Sequence, residues 1–370
     1  MTRKERIMAA AQRKPASEID TLPFFHYWRY GKNGWAEREC RNRGMGFCWI
    51  RPCYTEVLRD VEITEQQTVS NGTKVIRRTF KTPVGSLYVD EKRDPGVGHW
   101  HAQRSWNAIL PWETKRLIQN PEDYKVAKFI AEHTEYQPDY YPIEQAKEWL
   151  GDDGVVLSWL PHSPMQTLMI NWIGSEEGRF FYHHVDYPDL VEDLYQSIWE
   201  ARKPLHEIAA NSPAEVVLCG DNIDGFLVNP NLFKQYFMPV YEEQGAKLHS
   251  NGKLMAIHMD GRLKMLKDLI GQTPVDIVEA FHPPPMGDLP VSEALEAWPD
   301  KSIWIGFPGT VYELGPKATK QYTEELLQDL GDGSRIVIES STENLISNEN
   351  LVALTDVLER ASLPLKIAIR

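Results

Sequence analysis

Imidazole and carboxylate side chains recur at the points where short apolar runs of the sequence stop. In chain order, the polar residues at these points include His26, Arg29, His162, Asp221, Asn222, His258, Asp260, Glu279, His282, Glu339 and Ser340. Histidine nitrogens and carboxylate oxygens can bind zinc, and the same groups carry protons in acid–base catalysis. A single polar residue at the end of an apolar run means little, whereas a series of them predicts a shared site. We expect His258, Asp260 and Asp221 to be catalytic.

Aromatic side chains accompany the polar ones at several of these positions. They are Tyr27, Trp28, Trp159, Phe281 and Phe307, in a chain that holds 12 tryptophans. Their faces could line a pocket for a flat apolar or aromatic molecule, with Arg29 and Asn222 as polar contacts to it. Taken singly, each of these aromatic residues could equally belong to the hydrophobic core.

Apolar runs alternate with amphipathic segments through most of the chain. Strands are predicted at residues 22–28, 154–163, 215–222, 253–261, 275–283, 302–309 and 334–341. Helices are predicted at 120–135, 187–211 and 229–252, the last with a kink at Pro239, and again between the later strands. This α/β alternation predicts a parallel sheet, and about seven or eight units predict a closed (β/α)8 TIM barrel. An open doubly wound sheet is the alternative, although no glycine-rich phosphate loop follows the first strand.

The predicted barrel explains why polar residues gather at the ends of its strands. Active sites of (β/α)8 barrels lie at the carboxyl ends of the strands, on the loops that lead into the helices. His258 and Asp260 stand two positions apart, so they point to the same side of an extended chain.

The N-terminal third differs from the rest of the chain. Residues 2–14 predict a helix that Thr2 caps, with Glu5 as its capping-box partner. Residues 60–90 alternate apolar and polar side chains around Asn71-Gly72, a pair typical of a type I′ turn. We therefore expect an antiparallel hairpin insertion on one barrel domain that spans residues 1–370.

The composition limits the classes of partner and compartment. The net charge of -13 disfavours nucleic acid, because such a surface repels phosphates. The spacing of Cys40, Cys48, Cys53 and Cys219 matches no zinc signature. No signal peptide and no apolar stretch of membrane-spanning length is visible in the sequence, so we expect a cytoplasmic protein without a membrane partner.

Several segments, taken in order, resemble the uroporphyrinogen-decarboxylase superfamily. The resemblance rests on ERIMAAAQRK with LPFFHYW, GVVLSWLPHSPMQTLM, CGDNIDGFLVNPNLFKQYFMPVY, AIHMDGRLKMLKDLI, VDIVEAFHPPPMGDL, SIWIGFPGT and IVIESSTENLISNENLVAL. It covers most of the chain, and residues 36–110 match only loosely. The resemblance implies a barrel with its site at the strand ends.

The branches of this superfamily imply different chemistry. The decarboxylase branch needs no metal and binds substrate carboxylates through N-terminal arginines; Arg29 is present here, but the arginine-glutamine-alanine-glycine-arginine stretch is not. The other branch moves methyl groups to a corrinoid protein, with zinc on a His-x-Cys pair and a later cysteine. His258 matches that histidine, whereas Asp260 and Ser340 stand where the cysteines would be.

The resemblance therefore favours the corrinoid-dependent O-demethylase methyltransferases, which use glutamate and histidine rather than cysteine. It implies zinc on His258, Glu279, Asp221 and Ser340, with Asp260 as an alternative to Asp221, and the zinc would act as a Lewis acid. The methyl donor would be a methoxylated, aromatic small molecule, and the acceptor a corrinoid carried by a partner protein. A metal-free lyase acting on a small carboxylate and a non-catalytic binding barrel are the alternatives.

Overall fold

The computed structural model describes residues 1–27, 35–70, 73–93, 112–340 and 346–365. In chain order its strands are β1 (Phe24–Tyr27), β2 (Gly46–Pro52), β3 (Tyr54–Leu58), β4 (Glu62–Ser70), β5 (Thr73–Thr82), β6 (Gly85–Arg93), β7 (Trp112–Lys115), β8 (Thr134–Pro138), β9 (Gly154–Leu160), β10 (Val216–Cys219), β11 (Leu254–His258), β12 (Ile277–Phe281), β13 (Ser302–Gly306) and β14 (Ile336–Glu339). Eight of them close into a parallel barrel in the order β1-β14-β13-β12-β11-β10-β9-β2. The predicted (β/α)8 barrel is confirmed.

Helices connect the barrel strands and surround them. They are α1 (Arg3–Ala11), α2 (Trp35–Asn42), α3 (Asp123–Glu132), α4 (Tyr141–Leu150), α5 (Pro164–Thr167), α6 (Arg179–Asp186), α7 (Pro188–Ala210), α8 (Pro230–Leu232), α9 (Met238–Ser250), α10 (Lys267–Gly271), α11 (Val291–Ala297), α12 (Gly309–Glu313), α13 (Pro316–Leu326) and α14 (Asn348–Leu358). A π-helical turn, Phe233–Phe237, precedes α9, and Pro239 lies in the first turn of α9. The helical path therefore changes next to the proline at which a kink is predicted.

Each predicted strand run contains a barrel strand, and β2 is the barrel strand that the sequence did not reveal. Its residues GFCWIRP end in Arg51 and Pro52, which conceal a short buried run from a search for continuous apolar residues. β2 pairs in parallel with β1 on one side and with β9 on the other. It therefore supplies the strand that closes the barrel.

Two antiparallel sheets lie between β2 and β9 in the chain. The predicted hairpin is confirmed as β4 paired with β5, in register from Glu62↔Lys81 to Ser70↔Thr73. The predicted Asn71-Gly72 turn lies outside the described residues. The hairpin extends to a four-stranded sheet through β6 and β7, and β3 pairs with β8 in a second sheet.

Successive side chains along each barrel strand point alternately into the barrel and toward the helices, which gives an inner core and an outer core. The inner core holds Phe25, Leu157 and Trp304 together with Ile7 and Ala10 of α1. The N-terminal helix therefore packs against the barrel interior. Thr2 Oγ1 accepts a hydrogen bond from Glu5 N at 3.1 Å, and Glu5 Oε2 accepts one from Thr2 N at 2.7 Å, as the predicted capping box requires.

The helices in the described part of the chain all lack the length or the apolar character that a membrane span requires.

Candidate active site

A chain of hydrogen bonds joins four strands at the carboxyl end of the barrel. His258, the last residue of β11, lies with Nδ1 2.5 Å from Glu279 Oε2 on β12. The Tyr27 hydroxyl at the end of β1 donates to Glu279 Oε1 and lies 3.3 Å from Glu339 Oε2 on β14. The Glu279 side chain is 2% exposed, and that of His258 is 28% exposed. The carboxylate is thus sealed in the barrel, and the imidazole faces its mouth.

Charge and burial set the protonation of the residues in this hydrogen-bond network. Burial lowers the pKa of His258, but the charge of Glu279 and hydrogen bonds to Asp260 and Glu279 outweigh it and raise that pKa well above 6.5. Burial and the charge of Glu279 raise the pKa of Glu339. Burial and the two glutamates also raise the pKa of Tyr27. The shifts therefore favour the protonated, cationic form of His258 and the protonated forms of Glu339 and Tyr27.

An irregularity in β12 brings Glu339 into the hydrogen-bond network of His258, Glu279 and Tyr27. The pairing of β12 with β13 shifts register between Val278 and Phe281, and Ala280 has a φ of 55° in that stretch. Ala280 N donates to Glu339 Oε1 at 3.2 Å instead of serving the regular ladder. A left-handed φ is uncommon for alanine, so local strain accompanies this hydrogen bond.

Asp260 and His282 lie on the mouth side of His258. Asp260 Oδ2 is 3.5 Å from His258 Nε2. Burial opposes ionisation, but the hydrogen bond to His258 and the charges of His258 and His282 lower the pKa of Asp260. The His282 ring lies against Gly306, where an added Cβ would come within 2.5 Å of Cε1. A glycine at the end of β13 is therefore what lets this imidazole occupy its place.

Asp221 belongs to a separate cluster after β10. Its Oδ1 accepts from Ser163 N at 2.6 Å, and its Oδ2 accepts from the Tyr241 hydroxyl at 2.7 Å. Burial raises the pKa of Asp221, which the charge of His162 partly offsets. His162 itself has a lowered pKa because of burial, and its Nδ1 lies 2.9 Å from Asn171 Oδ1. The structure therefore ties Asp221 to the loop after β9 rather than to His258.

Ser340 also has partners of its own. Its Oγ lies 3.1 Å from His26 Nδ1 and donates to Phe25 O at 2.9 Å. These bonds hold the end of β14 against β1, which is a structural role.

The four expected zinc ligands do not converge. His258 Nδ1 and Glu279 are bonded to each other, and Asp221 and Ser340 are bonded elsewhere. Within the described ranges, no three histidine, cysteine, aspartate or glutamate side chains form a group that could hold a metal ion. The donor set predicted from the resemblance thus does not fit zinc in this arrangement.

The aromatic residues separate into two groups. Trp159 is half-buried against the inner core, and its indole packs on Gly220, where an added Cβ would come within 2.2 Å. Phe281 packs in the outer core with its ring 5.9 Å from that of Trp298, and Phe307 lies 4.6 Å from Tyr312. The expectation that Phe281 and Phe307 hold a substrate is corrected, because both lie in the outer core, toward the helices. Alternation from the inward Trp304 turns Phe307 outward, whereas the irregularity at Ala280 turns Phe281 outward.

The remaining predicted substrate-binding residues are Asn222, Trp28, Arg29 and Tyr27. Asn222 is exposed, and its backbone carbonyl accepts from Gln166 Nε2 at 2.9 Å. Trp28 and Arg29 lie outside the described residues. Tyr27 is committed to the buried carboxylates rather than open to a ligand.

Tyr241 and the pairing of Tyr27 with two glutamates were not evident from the sequence. Tyr241 is a helical residue of α9, so a search of strand ends cannot find it. Tyr27 reads as one more aromatic residue near a strand end, and nothing in its neighbourhood in the chain indicates a carboxylate partner.

Comparisons with known proteins bear on the fold. No protein-family model matches the chain, and no curated protein sequence matches it. Among solved structures, a methyltransferase from Methanosarcina mazei superposes with a TM-score of 0.53 and 12% sequence identity, covering 97% of this chain and 98% of that one. At that identity the likeness shows a shared fold over the full length of both chains.

Two further structures are of the pneumococcal exo-β-D-N-acetylglucosaminidase StrH. They superpose with TM-scores of 0.37 and 0.35 at 9% and 8% identity. They cover 94% and 96% of this chain and 85% and 84% of theirs, and similarity at this level carries no argument about function.

Proposed function

We propose that this barrel is a methyltransferase that removes a methyl group from a methoxylated aromatic small molecule. The observation that carries the proposal is the His258–Glu279 pair, an imidazole at the barrel mouth that is held by a sealed carboxylate, which raises its pKa. The full-length likeness to a methyltransferase fold supports it, as does the sequence resemblance to methyltransferases of the corrinoid-dependent kind.

Demethylation of an aryl ether needs help at the oxygen. The methyl carbon–oxygen bond breaks with its electron pair left on oxygen, and a proton delivered there makes the phenol a better leaving group. His258 holds that proton, and its Nε2 lies on the side of Asp260 near the mouth. A corrinoid carried by a partner protein would supply the nucleophile that accepts the methyl group.

The other residues of the site would then orient and insulate the proton donor. Glu279 fixes the imidazole through Nδ1, and Tyr27 and Glu339 complete the sealed end of the chain. Trp159, half-buried beside the inner core, is the aromatic face that a substrate ring could meet. Asp221 holds the loop of His162 and Ser163 in place, which is a positioning role.

Zinc enters only through the resemblance, and the bonded state of the expected donors gives no set to hold it. We therefore assign no step to a metal and include metal dependence in the test.

The test uses the full chain, 2-methoxyphenol as methyl donor and free cob(I)alamin as acceptor. Methylation of cob(I)alamin is followed by its change in absorbance. We expect transfer by the wild type and a loss of about a hundredfold or more in His258→Gln, which removes the proton donor. His249→Gln is the matched control, because His249 pairs with Asp276 at 2.7 Å and takes no part in the hydrogen bonds of His258.

The outcomes separate the candidate functions. Transfer that survives a chelator supports the proton-donor role of His258. Transfer that is lost to the chelator and restored by zinc overturns that role in favour of a metal. If 2-methoxyphenol and a panel of related methoxybenzenes all fail while carbon dioxide is released from small aromatic acids, the methyltransferase proposal fails and the lyase takes its place.

A further inference from the structure

A cavity of about 170 Å³ lies between α7 and the antiparallel strands that interrupt the barrel. Its larger apolar lining residues are Leu58, Phe80, Leu117, Ile130, Trp172 and Ile198. β3 and β5 of the insertion contribute Leu58 and Phe80, whereas α7 contributes Ile198. The (β/α)8 barrel does not need the insertion to close, so this cavity is a feature that the insertion adds.

Four polar residues complete the lining: Glu56, which is exposed, Thr134, Tyr136 and Arg202. Glu56 and Tyr136 are opposite one another in the β3–β8 pair and therefore share a face of that sheet. Arg202 projects from α7, and its Nε has no hydrogen-bond partner among the described residues. Burial raises the pKa of Glu56, and the nearby charge of Arg202 partly lowers it. One positive and one acidic group thus balance each other at the cavity.

We propose that this cavity is a second binding site, for a flat uncharged ring that carries one hydroxyl group, phenol being the simplest example. An apolar cavity of about 150 Å³ is large enough to hold benzene, so the space matches a single ring. A hydroxyl both donates and accepts, and it can serve the Glu56 carboxylate and an Arg202 N–H together. A charged ligand would be attracted by one of the two groups and repelled by the other, so neither an anion nor a cation gains a net attraction from the pair.

Arg202 also connects the cavity with the loop after β9. Its Nη1 donates to His162 O at 2.5 Å and to Thr167 Oγ1 at 2.8 Å. The neighbouring Ser163 N holds Asp221. A ligand bound to Arg202 would therefore contact the residue that anchors one of the loops at the barrel mouth, and this inference holds whatever reaction the mouth catalyses.

The test is calorimetric titration of the full chain with phenol, benzoate and toluene. Ala201→Phe places a ring in the cavity from α7, and Glu56→Leu removes the acceptor of the hydroxyl. We expect phenol to bind more tightly than benzoate or toluene, to lose binding in Ala201→Phe, and to bind about tenfold more weakly in Glu56→Leu. Thr55→Leu, an exposed neighbour on β3, is the matched control and should bind phenol as the wild type does.

Several outcomes would overturn the proposal. Phenol binding that persists in Ala201→Phe places the ligand elsewhere, for instance at the barrel mouth. Benzoate binding more tightly than phenol makes the site an anion site. Absence of any phenol binding removes the site altogether. A thermal melt of each variant confirms that the chain is folded, and because the readout is binding, the result does not depend on methyl transfer.

Discussion

At the scale of single residues, one proton donor and two buried acids share the end of the barrel. Glu279 lies against His258 and raises the pKa of that imidazole, and burial beside the same Glu279 carboxylate raises the pKa of Glu339. Removing either glutamate would therefore change the protonation of every group in this hydrogen-bond network, rather than delete one bond. The pH dependence of activity and of stability should report these two groups separately.

The activity should fall at alkaline pH. His258 donates only while protonated, so the rate is full below its folded pKa and is lost as the pH rises through that value, which lies well above 6.5. Glu279→Gln removes the charge that raises the pKa and should move the fall to lower pH. The measurement is the rate of cob(I)alamin methylation across neutral and alkaline pH. A fall that stays in place in Glu279→Gln would mean that another group controls the rate.

The stability should carry the signature of Glu339. Its folded pKa lies above the ordinary 4.5, so the folded state keeps a proton that the unfolded chain loses, and stability declines as the pH rises from 4.5 to the folded value. The decline is about 1.4 kcal/mol per pH unit in that window. Glu339→Gln keeps an acceptor for Ala280 N and should flatten the profile.

The free energies of unfolding are obtained from urea titrations at a series of pH values. Glu148→Gln, on the exposed side of α4, is the control and should leave the profile parallel to that of the wild type. Parallel profiles for Glu339→Gln would show that the buried acid does not titrate between the two states.

At the scale of elements, apolar continuity was enough to predict most of the barrel. The runs of β9 to β14 stand out because strands covered on both faces have no polar alternation. β2 was not predicted as a strand, because its last residues are an arginine and a proline. The strand-end rule found His258 and Glu279 but could not say which side chains meet, because Ala280 gives no sign in the sequence of its left-handed backbone.

The close approach of β9 and β10 gives a prediction about the substrate pocket. An added Cβ at Gly220 would come within 2.2 Å of the Trp159 indole, so Gly220→Ala should push that ring from its place. We expect the KM for the aromatic methyl donor to rise about tenfold with kcat largely kept. Trp149→Leu, at an exposed indole on α4, is the control for loss of a tryptophan. An unchanged KM in Gly220→Ala would remove Trp159 from the substrate pocket.

At the scale of the whole molecule, the barrel presents apolar side chains around one end. Phe226, Met265, Met286 and Leu314 follow β10, β11, β12 and β13 in turn, and they are 74%, 59%, 41% and 75% exposed. Exposed large apolar residues on successive loops mark a surface suited to a protein partner. The proposed corrinoid protein would have to reach this end of the barrel.

Substitutions on that surface should weaken binding of the partner protein without affecting the methyl-transfer reaction itself. Phe226→Ser combined with Met265→Ser should slow methyl transfer to a protein-bound corrinoid about tenfold and leave transfer to free cob(I)alamin unchanged. Ile63→Ser with Val69→Ser removes exposed apolar side chains from the insertion instead and is the matched control. Equal losses with both acceptors would mean that the loops serve catalysis rather than docking.

The pairing of β1 has a consequence for synthesis of the chain. β1 lies between β2 and β14, with Phe25 opposite Gly46 on one side and Glu339 on the other. Among the barrel strands β1 is synthesised first and β14 last, so the barrel cannot close until β14 has left the ribosome. Until then one edge of β1 has no partner strand, and any nascent chain released before β14 has emerged is left with an open sheet.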